Sequence, residues 1–224
     1  MMDLYDGLTA RLRTIGDWFW PTGLRLIMFW EFWEAGVAKY QGENWFASIP
    51  WADWQKGFPF PFDRLSNDLN WLAATWGELI LAVMILFGLG TRFAALSLII
   101  VTGVATAAVH WPADYAGLSG LWEGYVITAK DAGNYKLPLL FVLMLLPLVF
   151  YGGGKLSLDH LLIKLSNRSG RLEDRTGDLQ ALGLALFVLA MAVVWVEPSW
   201  GIGLLVGSTA ALLLPQFMSN PLRS

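Results

Sequence analysis

The sequence predicts an all-α fold, a polytopic membrane helix bundle with six spans. Three observations carry that prediction. Apolar residues make up 56% of the 224 and charged residues only 15%, where a soluble domain carries about 25% charged. Apolar runs of bilayer-crossing length recur near 18–40, 69–89, 93–109, 135–151, 180–196 and 200–217. The first of them, WFWPTGLRLIMFWEFWEAGVAKY, nevertheless holds Arg25, Glu31, Glu34 and Lys39. A charge at mid-bilayer costs about 2.5–3.5 kcal/mol on insertion scales, so this helix needs partners and belongs at the centre of a bundle.

Composition also excludes. With no cysteine there is no disulfide or thiolate metal site within the chain, and two histidines are too few for a closed zinc or haem site. No metal site is expected and no intrinsic cofactor, so a redox cofactor would have to be diffusible. A net charge of −3 argues against nucleic acid. The opening MMDLYDGLTARLRTIGDW has no apolar core, so the first span itself is expected to direct insertion.

Residues 1–17 read as an amphipathic lead-in, with Leu4, Leu8, Leu12 and Ile15 at helical spacing. After span one, Trp45, Phe46, Trp51 and Trp54 alternate with polar residues before Pro59 and Pro61, which predicts an interfacial helix lying over the bundle as a lid. The turn Gly90-Thr91-Arg92 joins spans two and three, and His110-Trp111-Pro112 ends span three. Gly152-Gly153-Gly154 lacks the pattern of a phosphate loop and reads as a helix stop with a flexible hinge. LSLDHLLIKL, from Leu156, is amphipathic and expected at the surface, inside a polar stretch that reaches Asp178. Glu197-Pro198-Ser199-Trp200 turns between the last two spans, where Gly203, Gly207 and Ala211 form a small-residue stripe for helix packing. Lys and Arg number nine on the side of the termini and five on the other, so both termini are expected to be cytoplasmic.

Depth follows from the rise of about 1.5 Å per helical residue. Counted from the outer ends of their spans, Glu31 and Glu78 fall at one level, Glu34 is shallower, Lys39 is at the rim and Arg25 is deeper. Two carboxylates at one depth near basic groups could share a proton, hold a cation, or accept a hydrogen bond from a quinol-like head group, with Trp30 and Trp76 shaping the pocket. His110 could relay a proton to solvent. The alternative is structural: an ion pair between Arg25 and a glutamate that fixes helix register, with His110 an interfacial cap. Met28, Met84, Met144 and Met191 could offer thioethers to Cu(I), although single scattered methionines usually pack.

GLRLIMFWEFWEAGVAK at 23–39, GFPFP at 57–61, GELILAVMILFGLGTRFAAL at 77–96 and YGGGKLSLDHLL at 151–162 together resemble the DoxX family of small bacterial membrane proteins. The likeness covers roughly residues 15–162. HW at 110–111 and AGNYKLPLLFVLMLLPLVFYGGGKLSLD from Ala132 are similar to the branch encoded beside the biosynthesis genes of copper-binding modified peptides. The resemblance implies a four-helix core in the bacterial inner membrane, a link to respiratory electron transfer through quinones, and Arg25, Lys39, Glu78 and Arg92 as the matching charged positions. The expected organisation is a cytoplasmic lead-in at 1–17, a four-helix core at 18–162 with an outer interfacial segment at 41–68 and an outer loop at 110–134, a cytoplasmic linker at 163–179, and two additional C-terminal transmembrane helices at 180–217. Three functions follow as expectations: a redox-linked accessory binding a quinone or similar apolar ligand, acting if enzymatic as a subunit of a quinone-linked oxidoreductase; a non-catalytic helper of a redox or copper-binding-peptide maturation partner; or a proton- or ion-coupled transporter.

Overall fold

Helix ends follow from local chemistry. Ser66, in an extended conformation, accepts a hydrogen bond from the Leu69 amide and starts one helix, which Gly88 ends in the left-handed region at φ 65°. Gly88 donates to the Ile85 carbonyl at 3.1 Å and Leu89 to that of Met84 at 2.9 Å, the paired bonds of a Schellman turn. Ser157 starts another helix by accepting from the His160 amide at 3.1 Å while donating to the Gly154 carbonyl at 2.6 Å.

The computed structural model describes residues 2–49, 55–56, 62–112, 117–126, 133–166 and 177–218. Among these residues there is no strand, and the α-helices are α1 (Met2–Gln41), α2 (Asn67–Phe87), α3 (Thr91–Ala105), α4 (Gly117–Val126), α5 (Lys136–Tyr151), α6 (Leu158–Leu165), α7 (Asp178–Val196) and α8 (Pro198–Met218). Trp51, Trp54, the GFPFP motif and most of the 163–179 linker lie outside the described residues. Among the described residues, four stretches are long and apolar enough to cross a membrane: Asn67–Phe87, Thr91–His110, Asp178–Val196 and Pro198–Pro215. Helix α5 is apolar but has 16 residues, about 24 Å of rise. The lead-in and first span, expected as separate pieces, form one helix of 40 residues that runs through Pro21. At about 60 Å it exceeds the thickness of a bilayer.

Two compact units interleave along the chain: Met1–Val101 with Leu139–Ser169, and Thr102–Pro138 with Gly170–Ser224. In the first, α1 packs along α2. The closest approach is at Gly36, where an added Cβ would lie 2.8 Å from Leu79 Cγ and 3.3 Å from the Leu79 amide nitrogen. Met28, Ile85, Leu98 and Leu145 are fully buried in the core of this unit. Above the start of α2, Trp45 and Phe46 meet Trp71 edge to face at 5.6 and 5.3 Å. Buried Asn70 donates to the Gln55 side chain at 2.8 Å, and Gln55 donates to the Leu65 carbonyl at 3.0 Å.

In the second unit, α7 and α8 form a hairpin. Buried Ser208 donates to the Gly183 carbonyl at 2.7 Å, and a Cβ at Gly201 would overlap Val194. The packing surface of α8 therefore uses Gly201, Ser208 and Ala211, whereas Gly203, expected in the stripe, has open space beside it. Helix α3 continues into a turn of π-helix, Thr106–His110, closed by the Trp111 amide on the Thr106 carbonyl at 2.7 Å. The Asn134 amide donates to the His110 carbonyl at 2.8 Å, and Trp111 packs on Tyr135 at 5.0 Å.

Replacement of Gly36 by Val is expected to destabilise the protein by about 1–3 kcal/mol, the usual range for overpacking. Gly23→Ala, with nothing within 4 Å, should instead be neutral or stabilising by up to about 1 kcal/mol. Thermal unfolding of both variants in detergent checks the contrast.

Candidate functional site

The charges in the apolar run 18–40 of α1 divide into three groups with different surroundings. Arg25 is 4% exposed. Its Nε donates to the Ile85 carbonyl at 2.9 Å and Nη2 to that of Leu86, while Nη1 donates to Gly153 at 3.0 Å and Leu156 at 2.8 Å. Ile85 and Leu86 are among the last residues of α2, where carbonyls lack the regular helical amide donors; the Ile85 carbonyl accepts from the Gly88 amide as well as from Arg25. A guanidinium there meets both these carbonyls and the negative end of the helix dipole. The expected pairing of Arg25 with a glutamate does not occur among the described residues, because the fork points toward the end of α2 that lies away from Glu78.

Asp159 completes this cluster. Its Oδ1 accepts from the Gly90 amide and Oδ2 from the Thr91 amide, both at 2.7 Å, which caps the start of α3 with a carboxylate. The Asp159 amide returns a bond to the Gly88 carbonyl at 2.9 Å. The turns around Gly88 and Gly153 are thus stitched by one cation and one anion. Gly153 is buried, and a Cβ there would sit 2.5 Å from Thr91 Oγ1; a Cβ at Gly154 would meet Pro21 at 2.9 Å. The triple glycine is a close-packed junction and not the flexible hinge expected from its composition. Arg92 caps a further helix: its exposed Nη1 donates to the Val149 and Phe150 carbonyls at the end of α5, at 2.9 and 2.6 Å.

The second group is an ion pair. Lys39 Nζ lies 3.0 and 2.8 Å from Glu78 Oε1 and Oε2, with the side chains 18% and 7% exposed. Lys39 reaches this carboxylate from the last turn of α1, one turn beyond the Gly36 to Leu79 crossing. That crossing sets the register. Glu31, five residues before Gly36, lies about 8 Å deeper than Glu78, so the two carboxylates are not at one level. Tyr40 and Trp76 stand beside the pair in edge-to-face contact at 5.8 Å, and both are exposed.

The third group is Glu31 and Glu34. Glu31 is half-buried and Glu34 exposed, next to exposed Trp30, and neither makes a hydrogen bond or ion pair among the described residues. His110 is half-buried on the π-helical turn. It belongs to the second unit, whereas the α1 charges belong to the first. Asp159 and Ser157 escaped the sequence reading, although Ser-Leu-Asp directly after a glycine turn is a helix-start pattern that could have flagged them.

Replacing Arg25 by Lys keeps the charge but cannot serve four carbonyls in fixed directions. This variant is expected to lose about 2–4 kcal/mol of stability, and Arg92→Lys, at an exposed site, less than about 1 kcal/mol. Unfolding titrations in mixed detergent would measure both.

Comparison with known proteins matches residues 21–111 to the DoxX family model. An uncharacterized protein of Haemophilus influenzae is 45% identical over 142 residues, which is 63% of this chain and 82% of that relative. No solved structure matches.

Proposed function

This chain belongs to the DoxX family, and from that premise we propose that it is a redox-linked membrane accessory holding the polar head of a quinone-like ligand at the Lys39 and Glu78 pair. The observation that carries the reading is the pair itself, an ammonium and a carboxylate withdrawn from solvent inside apolar helices. Such pairs contribute little net stability compared with well-packed apolar residues, so their presence in a span favours a functional role. Lys39 retains a donor for a ligand carbonyl. Glu78 retains lone pairs for a ligand hydroxyl and could take its proton. Exposed Tyr40 and Trp76 offer aromatic faces beside them for a flat ring. When bound, the quinone would supply the redox chemistry, while these residues orient it and handle its proton. The same reading sets the protein in the bacterial inner membrane with both termini cytoplasmic, which the distribution of Lys and Arg supports.

A second reading is a non-catalytic helper that docks a membrane partner, including one from copper-binding-peptide maturation. Glu31 and Glu34, without partners among the described residues and next to exposed Trp30 and Trp33 on α1, favour it.

Solvent extraction of gently purified protein should yield near-stoichiometric quinone. Glu78→Gln and Lys39→Met, if folded, should each lower retention about tenfold, equivalent to about 1.4 kcal/mol. A wild-type protein that carries no quinone and shows no saturable binding of a quinol analogue would rule the first reading out and leave partner docking.

A further inference from the structure

Away from the Lys39 and Glu78 pair, at the end of the first unit where α1, the glycine turn and the end of α5 meet, a cavity of about 210 Å³ opens between α1 and α5. Trp20, Pro21, Leu24, Pro147, Leu148 and Tyr151 give it mainly apolar walls, and Asp17 stands among them. We propose that it is a binding site for one lipid with a phosphoethanolamine head, the acyl chain in the cavity and the zwitterionic head at its mouth.

The polar groups at the mouth come in both signs. The Asp17 carboxylate pairs with Lys155 Nζ at 3.3 Å, and these side chains are 64% and 36% exposed. The pair is open to a competing ligand, since an ion pair in such surroundings is weak. Pro21 has no amide hydrogen, so the Asp17 carbonyl, four residues earlier, loses its helical donor. Its replacement is the Lys155 amide at a long 3.4 Å. Asp17 thus presents two acceptors, a carboxylate and an under-used carbonyl, which suit a primary ammonium with three hydrogens.

The cations suit the phosphodiester. Lys155 Nζ lies 5.9 Å from the Trp18 ring centre, beside Asp17. Arg92, exposed and without a carboxylate partner among the described residues, crosses the end of α5 just before Tyr151 and spends only Nη1 there, so Nε and Nη2 stay available to a phosphate oxygen. A purely anionic head would satisfy the cations but meet Asp17. A choline head would bring a cation with no hydrogen to donate. Trp18, Trp20 and Tyr151 form the aromatic collar found at headgroup depth. Directly after Lys155, α6 exposes Leu158, Leu161, Leu162 and Leu165 at helical spacing, an apolar face that an interfacial helix turns to lipid. This places the cavity mouth beside the headgroup layer.

The test uses the full chain in phosphatidylcholine nanodiscs, with brominated-chain phosphatidylethanolamine, phosphatidylcholine or phosphatidylglycerol titrated in. The readout is Trp20 emission, isolated as the difference between wild type and Trp20→Phe. Brominated phosphatidylethanolamine should half-quench at about a tenfold lower mole fraction than the other two. Asp17→Asn, at an exposed position that leaves the fold intact, should remove that preference. Equal quenching by all three would reduce the cavity to ordinary lipid contact, and a preference for phosphatidylglycerol or one that survives Asp17→Asn would overturn the headgroup assignment. Water-soluble glycerophosphoethanolamine should not compete at millimolar concentration; competition would show a headgroup site independent of the cavity and contradict the lipid reading.

Discussion

A guanidinium cannot be placed in a membrane bundle without several acceptors, and the end of a helix there cannot be left with bare carbonyls. In the first unit these two needs meet at Arg25. Four carbonyls from two separate turns receive its hydrogens, and Asp159 caps the next helix from the other side. The glycines follow from that geometry. Gly88 must leave room for the Arg25 guanidinium, whose carbon would lie 2.9 Å from any Cβ there, and it must also be left-handed to end α2. The family-like blocks at 77–96 and 151–162 are consequently one three-dimensional unit, joined by a residue from a third block.

The other charge pair has a different character. Lys39 and Glu78 bridge only α1 and α2 and satisfy no orphan backbone group. The packing at Gly36 already sets the register of these two helices, so the pair is not needed for it. Charge that a fold can dispense with, kept at the cost of desolvation, is where ligand chemistry is best sought. Helix α1 is the common element, with the carbonyl-bound cation Arg25 in its middle and the carboxylate-paired cation Lys39 near its end.

Hydropathy marked the helical stretches, since a run of apolar residues with polar breaks needs no tertiary knowledge to recognise. Arg25, Lys39 and Glu78 stood out for the same reason: a charge among apolar neighbours is conspicuous. What sequence could not supply was which distant segments touch. Asp159 sits in a stretch whose amphipathic pattern describes α6 correctly, yet its carboxylate turns away to α3. Depth counting treated the spans as equal in length and aligned at their ends. Helix α1 instead runs 40 residues without interruption, and the Gly36 crossing moved Glu31 below Glu78. The triple glycine looked flexible because composition reports conformational freedom, not the side chains that later fill the space.

The most direct test of this account is a double-mutant cycle on Arg25→Lys and Asp159→Asn, read as unfolding free energy of the full chain in detergent. If the two residues act as one stitch across shared turns, the double variant should lose less than the sum of the singles, with a coupling of at least about 1 kcal/mol. Losses that add within about 0.3 kcal/mol would mean that the turns are held independently, and Arg25 would no longer be the constraint on which the bundle depends.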